Sequence, residues 1–337
     1  MTGSKSVCPT IYDVAREAGV SAGTVSSICA QGRWTANYSP ATIQKVKNAA
    51  RLLGYKPSRA ARGTSKGCTL SASLLISPRT SHNFTPYIGE FYYGISEVLD
   101  AKDYHVTLDR TFSEEIFGRF PRETDGVIVH ADADVKYHPD RNWPEDFPVV
   151  RLNAARALET DCVDPDDAEG VRKLVSRLLG CGYRHFVYVD LEEHGLHPSF
   201  DIRREGVLNG AKEGGGKSEI VVETSADIGE MLGRIRPGGK TVFVAYSSLQ
   251  AMSVFYVAAK RHLEVPKDFG LASCDRDTLQ EGIKIGPNVS GLYFDPSELG
   301  RRAGRMLLQK IENGNAPVPS ELVPEVYVPG NTLAGEG

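Results

Sequence analysis

Apolar residues follow two different spacings along this chain. Near the N-terminus they recur three or four positions apart, which predicts one apolar face of a helix. The residues concerned are Ile11, Val14, Ala15 and Ala18. Thr10 can cap that helix with Asp13 as its reciprocal partner, and Gly19 can end it with a positive φ. Ser21 can cap a second helix two residues later.

A third helix is predicted between Ser39 and Gly54. Ser39 can cap it, Pro40 suits its first position, and Gly54 can end it. A helix, a glycine turn and a second helix form the helix-turn-helix unit, whose second helix lies in the major groove of DNA. Residues 1–67 carry 10 Lys or Arg and 2 Asp or Glu, in a chain of net charge −4. A basic module on an acidic body is typical of a phosphate-binding domain.

From residue 70 onward, short β-rich runs alternate with amphipathic helical stretches. Strands are predicted at 72–76, 105–108, 126–130, 149–152, 186–190, 220–222, 242–246, 270–273 and 292–294. Helices are predicted at 86–101, 166–180, 203–213, 227–236, 248–262 and 297–313. This alternation predicts two α/β units with parallel sheets and helices on both faces. The uncharged run 241–259 contains several polar residues, so we interpret it as a buried strand and a packed helix rather than a membrane span.

The run from Thr10 to Ser26 matches the pattern T-[IL]-x-D-V-A-x-x-A-G-V-S-x-x-T-V-S at every fixed position. In this run the chain resembles the LacI/GalR-type (lactose- and purine-repressor) family of bacterial transcriptional regulators. The resemblance implies an all-α helix-turn-helix headpiece, followed by an α/β two-lobed periplasmic-binding-protein-like core with doubly wound parallel sheets. An ordinary amphipathic helix pair in a core is the structural alternative.

The resemblance also divides the chain into segments. It implies a headpiece at 1–56, a hinge or linker at 57–68, and an effector-binding and dimerisation core at 69–337. It places the first lobe at about 69–160 and 296–320, and the second at about 161–295 and 321–337, with lobe crossings near 158–162, 293–297 and 318–322. In the family the hinge forms a helix that wedges a leucine into the minor groove. Thr64 stands at that leucine position here, and a plain flexible linker is the alternative.

The resemblance further implies which residues contact DNA. Base edges would face Ala22, Gly23, Thr24, Ser26 and Ser27, and phosphates would face Thr10, Tyr12, Ser21, Thr24 and Thr42. The hinge would add Ser58, Arg59 and Thr64. Ala22 and Gly23 cannot form bidentate base contacts, and Ser27 replaces the arginine that the family usually has there. We therefore expect recognition to depend on thymine methyl groups, phosphates and DNA shape.

A small-molecule effector, a carbohydrate or its derivative, is implied between the lobes, where strands of open α/β sheets end. Arg203 matches the family arginine that grips the effector, and Asp275 matches the aspartate after the penultimate core strand. The candidate effector residues are Phe84, Tyr87, His130, Asn153, Arg203, Ser248 and Asp275. Ser248 stands where the family usually has an aspartate, which indicates an effector other than a common hexose, or weaker binding. For each polar residue alone, a capping or surface role is the alternative.

No catalytic constellation, metal site or cofactor motif is predicted. The six cysteines are scattered, and residues 1–9 lack the apolar core of a signal peptide, so we expect reduced thiols in the cytoplasm. The expected partners are a pseudopalindromic operator, the effector and a second copy of the chain in a homodimer. A ligand-binding protein whose headpiece no longer selects DNA is the first alternative, and an enzyme is the second. Inducer and corepressor both remain open for the effector.

Overall fold

The computed structural model describes residues 9–29, 38–55, 67–76, 86–110, 115–130, 143–154, 158–189, 197, 199–215, 221–225, 227–235, 240–276 and 287–335. The chain divides into two compact units, Met1–Leu70 and Ser71–Gly337. The predicted hinge contacts at Ser58, Arg59 and Thr64, and the candidate effector residue Phe84, lie outside the described residues.

Three helices pack together in the first unit, as the sequence predicts. They are α1 (Ile11–Ala18), α2 (Ala22–Cys29) and α3 (Pro40–Leu53). Thr10 and Asp13 cap α1 reciprocally, because the Thr10 N–H donates to Asp13 Oδ2 at 2.8 Å and Thr10 Oγ1 accepts from the Asp13 N–H at 3.4 Å. Gly19 and Gly54 end α1 and α3 with φ of +64° and +67°. The buried core consists of Val14, Ala15, Val25, Ile28, Val46 and Ala49.

The second unit alternates strands and helices. Its strands are β1 (Ser71–Leu75), β2 (His105–Asp109), β3 (Val127–His130), β4 (Val149–Leu152), β5 (Cys162–Pro165), β6 (His185–Val189), β7 (Val221–Ser225), β8 (Thr241–Ala245), β9 (Gly270–Ser273), β10 (Ser290–Tyr293), β11 (Glu321–Val323) and β12 (Val326–Val328). Its helices are α4 (Pro86–Asp100), α5 (Ile116–Glu123), α6 (Asp167–Gly180), α7 (Ser199–Gly214), α8 (Ile228–Leu232), α9 (Ser248–Lys260) and α10 (Pro296–Glu312). None of these described helices combines the length and apolar character that a membrane crossing requires.

These strands form two sheets, each in its own lobe. The first has the order β11-β5-β4-β3-β1-β2, and the second has the order β12-β10-β9-β8-β6-β7. The pairs are parallel except for antiparallel β10 and β12. Buried strands such as β6 and β8 are apolar on both faces because helices cover each sheet on both sides. The predicted parallel α/β class is confirmed.

Two of the three predicted lobe crossings lie a few residues from the observed ones. Strand Cys162–Pro165 pairs in the first sheet, so the chain leaves that lobe after Pro165 rather than at 158–162. Strand Glu321–Val323 also pairs in the first sheet, so the last crossing follows Val323 rather than lying at 318–322. The sequence pattern predicts neither strand, because both are short and contain Asp, Pro or Glu, which are depleted in strands. It does not predict the helix Ile116–Glu123 either, because Pro121 interrupts the helical pattern.

Helices α4 and α10 touch through glycines in the first lobe. A Cβ built at Gly94 would overlap the carbonyl oxygen of Ser297 and lie 2.9 Å from the backbone nitrogen of Arg301. A Cβ at Gly300 would overlap the carbonyl oxygen of Phe91. The backbones of the two helices therefore meet without intervening side chains, as only glycine allows.

This contact predicts that Gly94→Ala destabilises the protein, because a methyl group there has no room. We expect the free energy of unfolding to fall by about 2 kcal/mol or more, measured by urea denaturation. Gly89→Ala on the same helix is the matched control, since a Cβ at Gly89 would meet no atom within 4 Å. That control should be neutral, or stabilising by about 0.5–1 kcal/mol. Equal unfolding midpoints for the two variants would contradict the close approach.

Candidate DNA and effector sites

Hydroxyl side chains lie at the helix N-termini of the first unit. Ser21 Oγ accepts the Thr24 N–H at 3.1 Å, and Ser39 Oγ accepts the Thr42 N–H at 3.1 Å. Each capping serine also lies 2.9 Å from the hydroxyl of its threonine partner. Tyr12 leaves 69% of its surface exposed. Backbone N–H groups and hydroxyls at helix N-termini suit phosphate oxygens.

The first turn of α2 carries small side chains. Of the residues predicted to face bases, Gly23 and Ser26 are exposed, and Ala22, Thr24 and Ser27 are half-buried. Val25 and Ile28 from the same helix point into the core. The opposite face of α2 is therefore free to meet DNA, but it offers hydroxyl, methyl and backbone groups instead of long hydrogen-bonding side chains.

Polar residues in the second unit gather where strands end. His130 ends β3, Asn153 follows β4, Tyr246 follows β8 and Asp275 follows β9. Hydrogen bonds between described residues join the lobes at this level, which we call the cleft. The Tyr87 hydroxyl, at the start of α4, donates to Asp275 Oδ1 at 2.7 Å. The structure thus brings together predicted residues from both lobes.

Arg203 is a buried cation at the cleft. It projects from α7 and leaves 3% of its surface exposed. Its Nε donates to Asp167 Oδ1 at 2.5 Å, and its Nη1 donates to the Tyr246 carbonyl at 3.3 Å and to Asp275 Oδ2 at 3.4 Å. The guanidinium lies 4.8 Å from the centre of the Tyr246 ring, which stacks on Phe200 at 3.9 Å. Helix, loop and aromatic contacts all converge on this one group.

Charges and burial shift the pKa values of these groups. Burial alone would lower the pKa of Arg203, but the facing charges, first that of Asp167, raise it well above its usual value. Burial raises the pKa of Asp275, while Arg203 and the Tyr87 hydroxyl oppose that shift. Burial and the neighbouring Asp167 raise the pKa of Glu325 to about 9. Arg203 therefore stays charged among several carboxyl groups.

A second cross-lobe contact runs through His197. Its Nε2 lies 2.7 Å from the Asn153 carbonyl oxygen, and its Nδ1 lies 2.7 Å from Ser199 Oγ. Ser199 Oγ lies 2.8 Å from the Tyr246 hydroxyl. Asn153 adopts φ of +54°, which asparagine tolerates better than most residues, and its side-chain nitrogen lies 3.4 Å from His130 Nε2. This series of hydrogen bonds connects the first lobe with the Tyr246 ring, which covers the buried guanidinium of Arg203.

Ser248 forms hydrogen bonds to the backbone of Asp275. Its N–H and its hydroxyl donate to the Asp275 carbonyl oxygen at 2.9 Å and 3.0 Å. Ser273 Oγ donates to the same oxygen at 2.6 Å. Ser248 is buried, so its contacts orient the loop after β9. A direct effector contact at Ser248 stays a prediction.

Sequence reasoning missed three groups in the cleft. Tyr246 is at the carboxyl end of a predicted strand, and the strand-end rule alone marks it. Asp167 is one of several acidic residues at the start of helix α6, where acids are common, and nothing in the sequence pairs it with Arg203. Gly195 and Pro198 near His197 are typical of a loop, and nothing in the sequence pairs His197 with Asn153. Among the described residues, no cluster of His, Cys, Asp or Glu is arranged to hold a metal ion.

Two family models match parts of this chain. The model for bacterial regulatory proteins of the lacI family matches residues 10–58. The model for a periplasmic binding protein-like domain matches residues 175–333. The first match covers the three helices of the first unit, and the second covers most of the lobe that holds Arg203 and Asp275.

Curated relatives match over most of their length. The HTH-type transcriptional regulator CelR of Thermobifida fusca is 26% identical over 341 residues, covering 95% of this chain and 96% of that protein. Catabolite control protein A of Priestia megaterium is 24% identical over 315 residues, covering 88% of this chain and 91% of that protein. The first of these relatives is a transcriptional regulator by name.

Solved structures share the fold. A Lac repressor dimer bound to operator and the anti-inducer ONPF has a TM-score of 0.77 at 19% identity, covering 97% of this chain and 100% of that chain. A complex of the transcriptional regulator CelR with cellobiose has a TM-score of 0.64 at 22% identity, covering 96% and 99%. The predicted architecture, a helix-turn-helix headpiece followed by a two-lobed core, is confirmed.

The buried ion pair predicts that Asp167→Asn is severely destabilising. The substitution leaves the Arg203 guanidinium buried without its nearest carboxylate, so we expect the free energy of unfolding to fall by about 3–5 kcal/mol in urea denaturation. Glu169→Gln on the same helix is the matched control. Glu169 pairs with Arg172 at 2.6 Å, but both side chains are exposed, so the control should leave the unfolding midpoint nearly unchanged. Similar losses of unfolding free energy in the two variants would show that burial does not make the Asp167–Arg203 pair more important than the exposed pair.

Proposed function

We propose that this chain is a member of the lacI family of bacterial regulatory proteins, and that it is a repressor whose operator affinity a small ligand controls. The observation that carries the proposal is the union, in one chain, of a capped helix-turn-helix unit and a two-lobed core with hydrogen bonds across its cleft. We further propose that it acts in the cytoplasm, without a cofactor and without enzymatic turnover.

We propose that the headpiece binds DNA chiefly through phosphates and groove shape. Tyr12, Ser21 and Thr42 supply hydroxyls at or near helix N-termini, where phosphate is favoured. Small residues on α2 allow close approach to thymine methyl groups. In the hinge, Ser58, Arg59 and Thr64 would add contacts, with Thr64 giving a weaker kink than leucine. A homodimer would present two headpieces to a pseudopalindromic operator.

We propose an uncharged carbohydrate as the effector. The Tyr87 ring, which stacks on Phe294 at 5.6 Å, lies beside Asp275 in the cleft. Aromatic faces suit the apolar faces of sugar rings, and carboxylates with a guanidinium suit their hydroxyls. The excess of carboxyl groups around Arg203 disfavours an anionic ligand. The cellobiose complex of the relative CelR supports this ligand class.

The contacts between the lobes supply the switch. A ligand hydroxyl that reaches Asp275 competes with the Tyr87 hydroxyl, and a ligand near Asn153 disturbs its bond to His197. Either event changes the relative stability of lobe arrangements, and the ligand shifts the equilibrium only by its differential affinity for them. By linkage, the ligand and the operator then change each other's affinity.

Selection of bound duplexes from a randomised pool, with the purified full chain near physiological salt, tests this proposal. Enrichment of one two-fold symmetric site is the expected result. Binding without enrichment, which fades steeply as salt rises, would mean phosphate attraction alone and would overturn the claim of an operator.

Tyr12→Phe tests the phosphate contacts of the headpiece. Losing one hydroxyl hydrogen bond should weaken binding by about three- to tenfold on every duplex, measured by fluorescence anisotropy. Because the lost group is uncharged, the salt dependence of binding should stay the same. Tyr93→Phe in the core, at a tyrosine with 61% of its surface exposed, is the control and should bind like the wild type. A loss confined to one DNA sequence would mean that Tyr12 reads a base.

A further inference from the structure

Glu325 lies where the chain joins the two sheets for the last time. Val323 ends β11 in the first sheet and Val326 begins β12 in the second, so Glu325 belongs to a two-residue connection. Its side chain is buried, with 3% of its surface exposed. Among the described residues, neither carboxyl oxygen has a hydrogen-bond partner. A buried carboxylate without donors is strongly unfavourable, so the neutral acid is favoured.

The surroundings of Glu325 belong to the cleft. Gly170, in the first turn of α6, makes room for its carboxyl group, because a Cβ at that position would overlap Glu325 Oε2. Among the described residues, the groups whose charges act on Glu325 are Asp166 and Asp167 at the start of α6, Arg203 on α7 and Asp275 after β9, and the buried Cys274 thiol also interacts with it. The first and last lobe crossings thus meet here, and three of these groups are carboxyl groups.

Protonation lowers the electrostatic cost of this cluster. Burial, and next the charge of Asp167, raise the pKa of Glu325 to about 9, although Arg203 opposes the shift. At neutral pH the group therefore holds its proton. Ionisation would add a third negative charge around Arg203 and compete with Asp167 and Asp275 for the guanidinium.

We propose that Glu325, as a neutral carboxylic acid, is a positioning residue of the effector site that keeps Arg203 paired with Asp167 and Asp275 where two lobe crossings meet. The effector role rests on the proposed function, whereas the proton on Glu325 does not. A pH dependence of the cleft follows, because loss of the Glu325 proton at high pH loosens the arginine pairing.

The sign of the linkage gives the first test. The folded pKa of Glu325 is above the unfolded value, so its stabilising effect is complete below the usual glutamate pKa of 4.5 and is lost as the pH rises to about 9. Within that interval the folding equilibrium constant should fall by up to about tenfold per pH unit on account of this group. Glu325→Gln cannot ionise, so its urea midpoint should depend less on pH than that of the wild type. Glu159→Gln, at an exposed acid before the first crossing, should follow the wild type.

The Arg203 side chain gives the second test, which a merely structural role would not affect. In the full chain with ¹⁵N-labelled arginine, the Arg203 Nε–H resonance is assigned with Arg203→Lys. We expect it to shift in the wild type as the pH crosses about 9 and to stay constant in Glu325→Gln. Parallel titrations in both proteins would overturn the positioning role.

The wild type alone suffices if Glu325→Gln does not fold. Infrared spectra of the wild type should show the carbonyl band of a protonated carboxylic acid at neutral pH, and this band should weaken above about pH 9. Absence of the band at neutral pH would overturn the proposal. None of these measurements uses DNA or a sugar. A negative result would therefore leave the regulator function intact, and a failed duplex selection would leave the proton on Glu325 intact.

Discussion

Burial of the Arg203 guanidinium is the constraint on which the polar interior of the second lobe depends. A buried charge is tolerated only with close partners, and Asp167 supplies one at 2.5 Å from the neighbouring helix α6. The loop after β8 contributes a carbonyl and the loop after β9 contributes Asp275. Satisfying one cation thus fixes two helices and two loops relative to one another at the mouth of the sheet.

Both lobes contribute hydrogen bonds to the cleft. The first lobe reaches Asp275 through the Tyr87 hydroxyl and reaches His197 through the Asn153 carbonyl. The chain crosses between the sheets three times, and Glu325 lies in the last crossing. Arg203 therefore lies close to the segments about which the lobes can move. Ligand chemistry and lobe geometry therefore share the same few residues.

Local sequence patterns predicted most helices and strands, whereas contacts between residues distant in sequence could not be predicted. Thr10, Gly19 and Ser39 act through neighbours three or four residues away, so the capped helices could be predicted from the sequence. Buried strands such as β8 are continuous apolar runs and were equally visible. The strand Cys162–Pro165 carries Asp and Pro and is a strand only because its neighbours in the sheet make it one. Asp167 and Arg203 are far apart in sequence, and no periodicity relates them.

Reciprocity between sugar and operator binding tests most directly whether a ligand in the cleft controls the binding of DNA. The operator affinity would be measured with and without cellobiose and a panel of other neutral sugars. The affinity of each active sugar would then be measured with and without operator. We expect at least one sugar for which the two affinities change by the same factor, as linkage requires. The contradicting result is that at least one sugar binds the protein but no sugar in the panel changes the operator affinity.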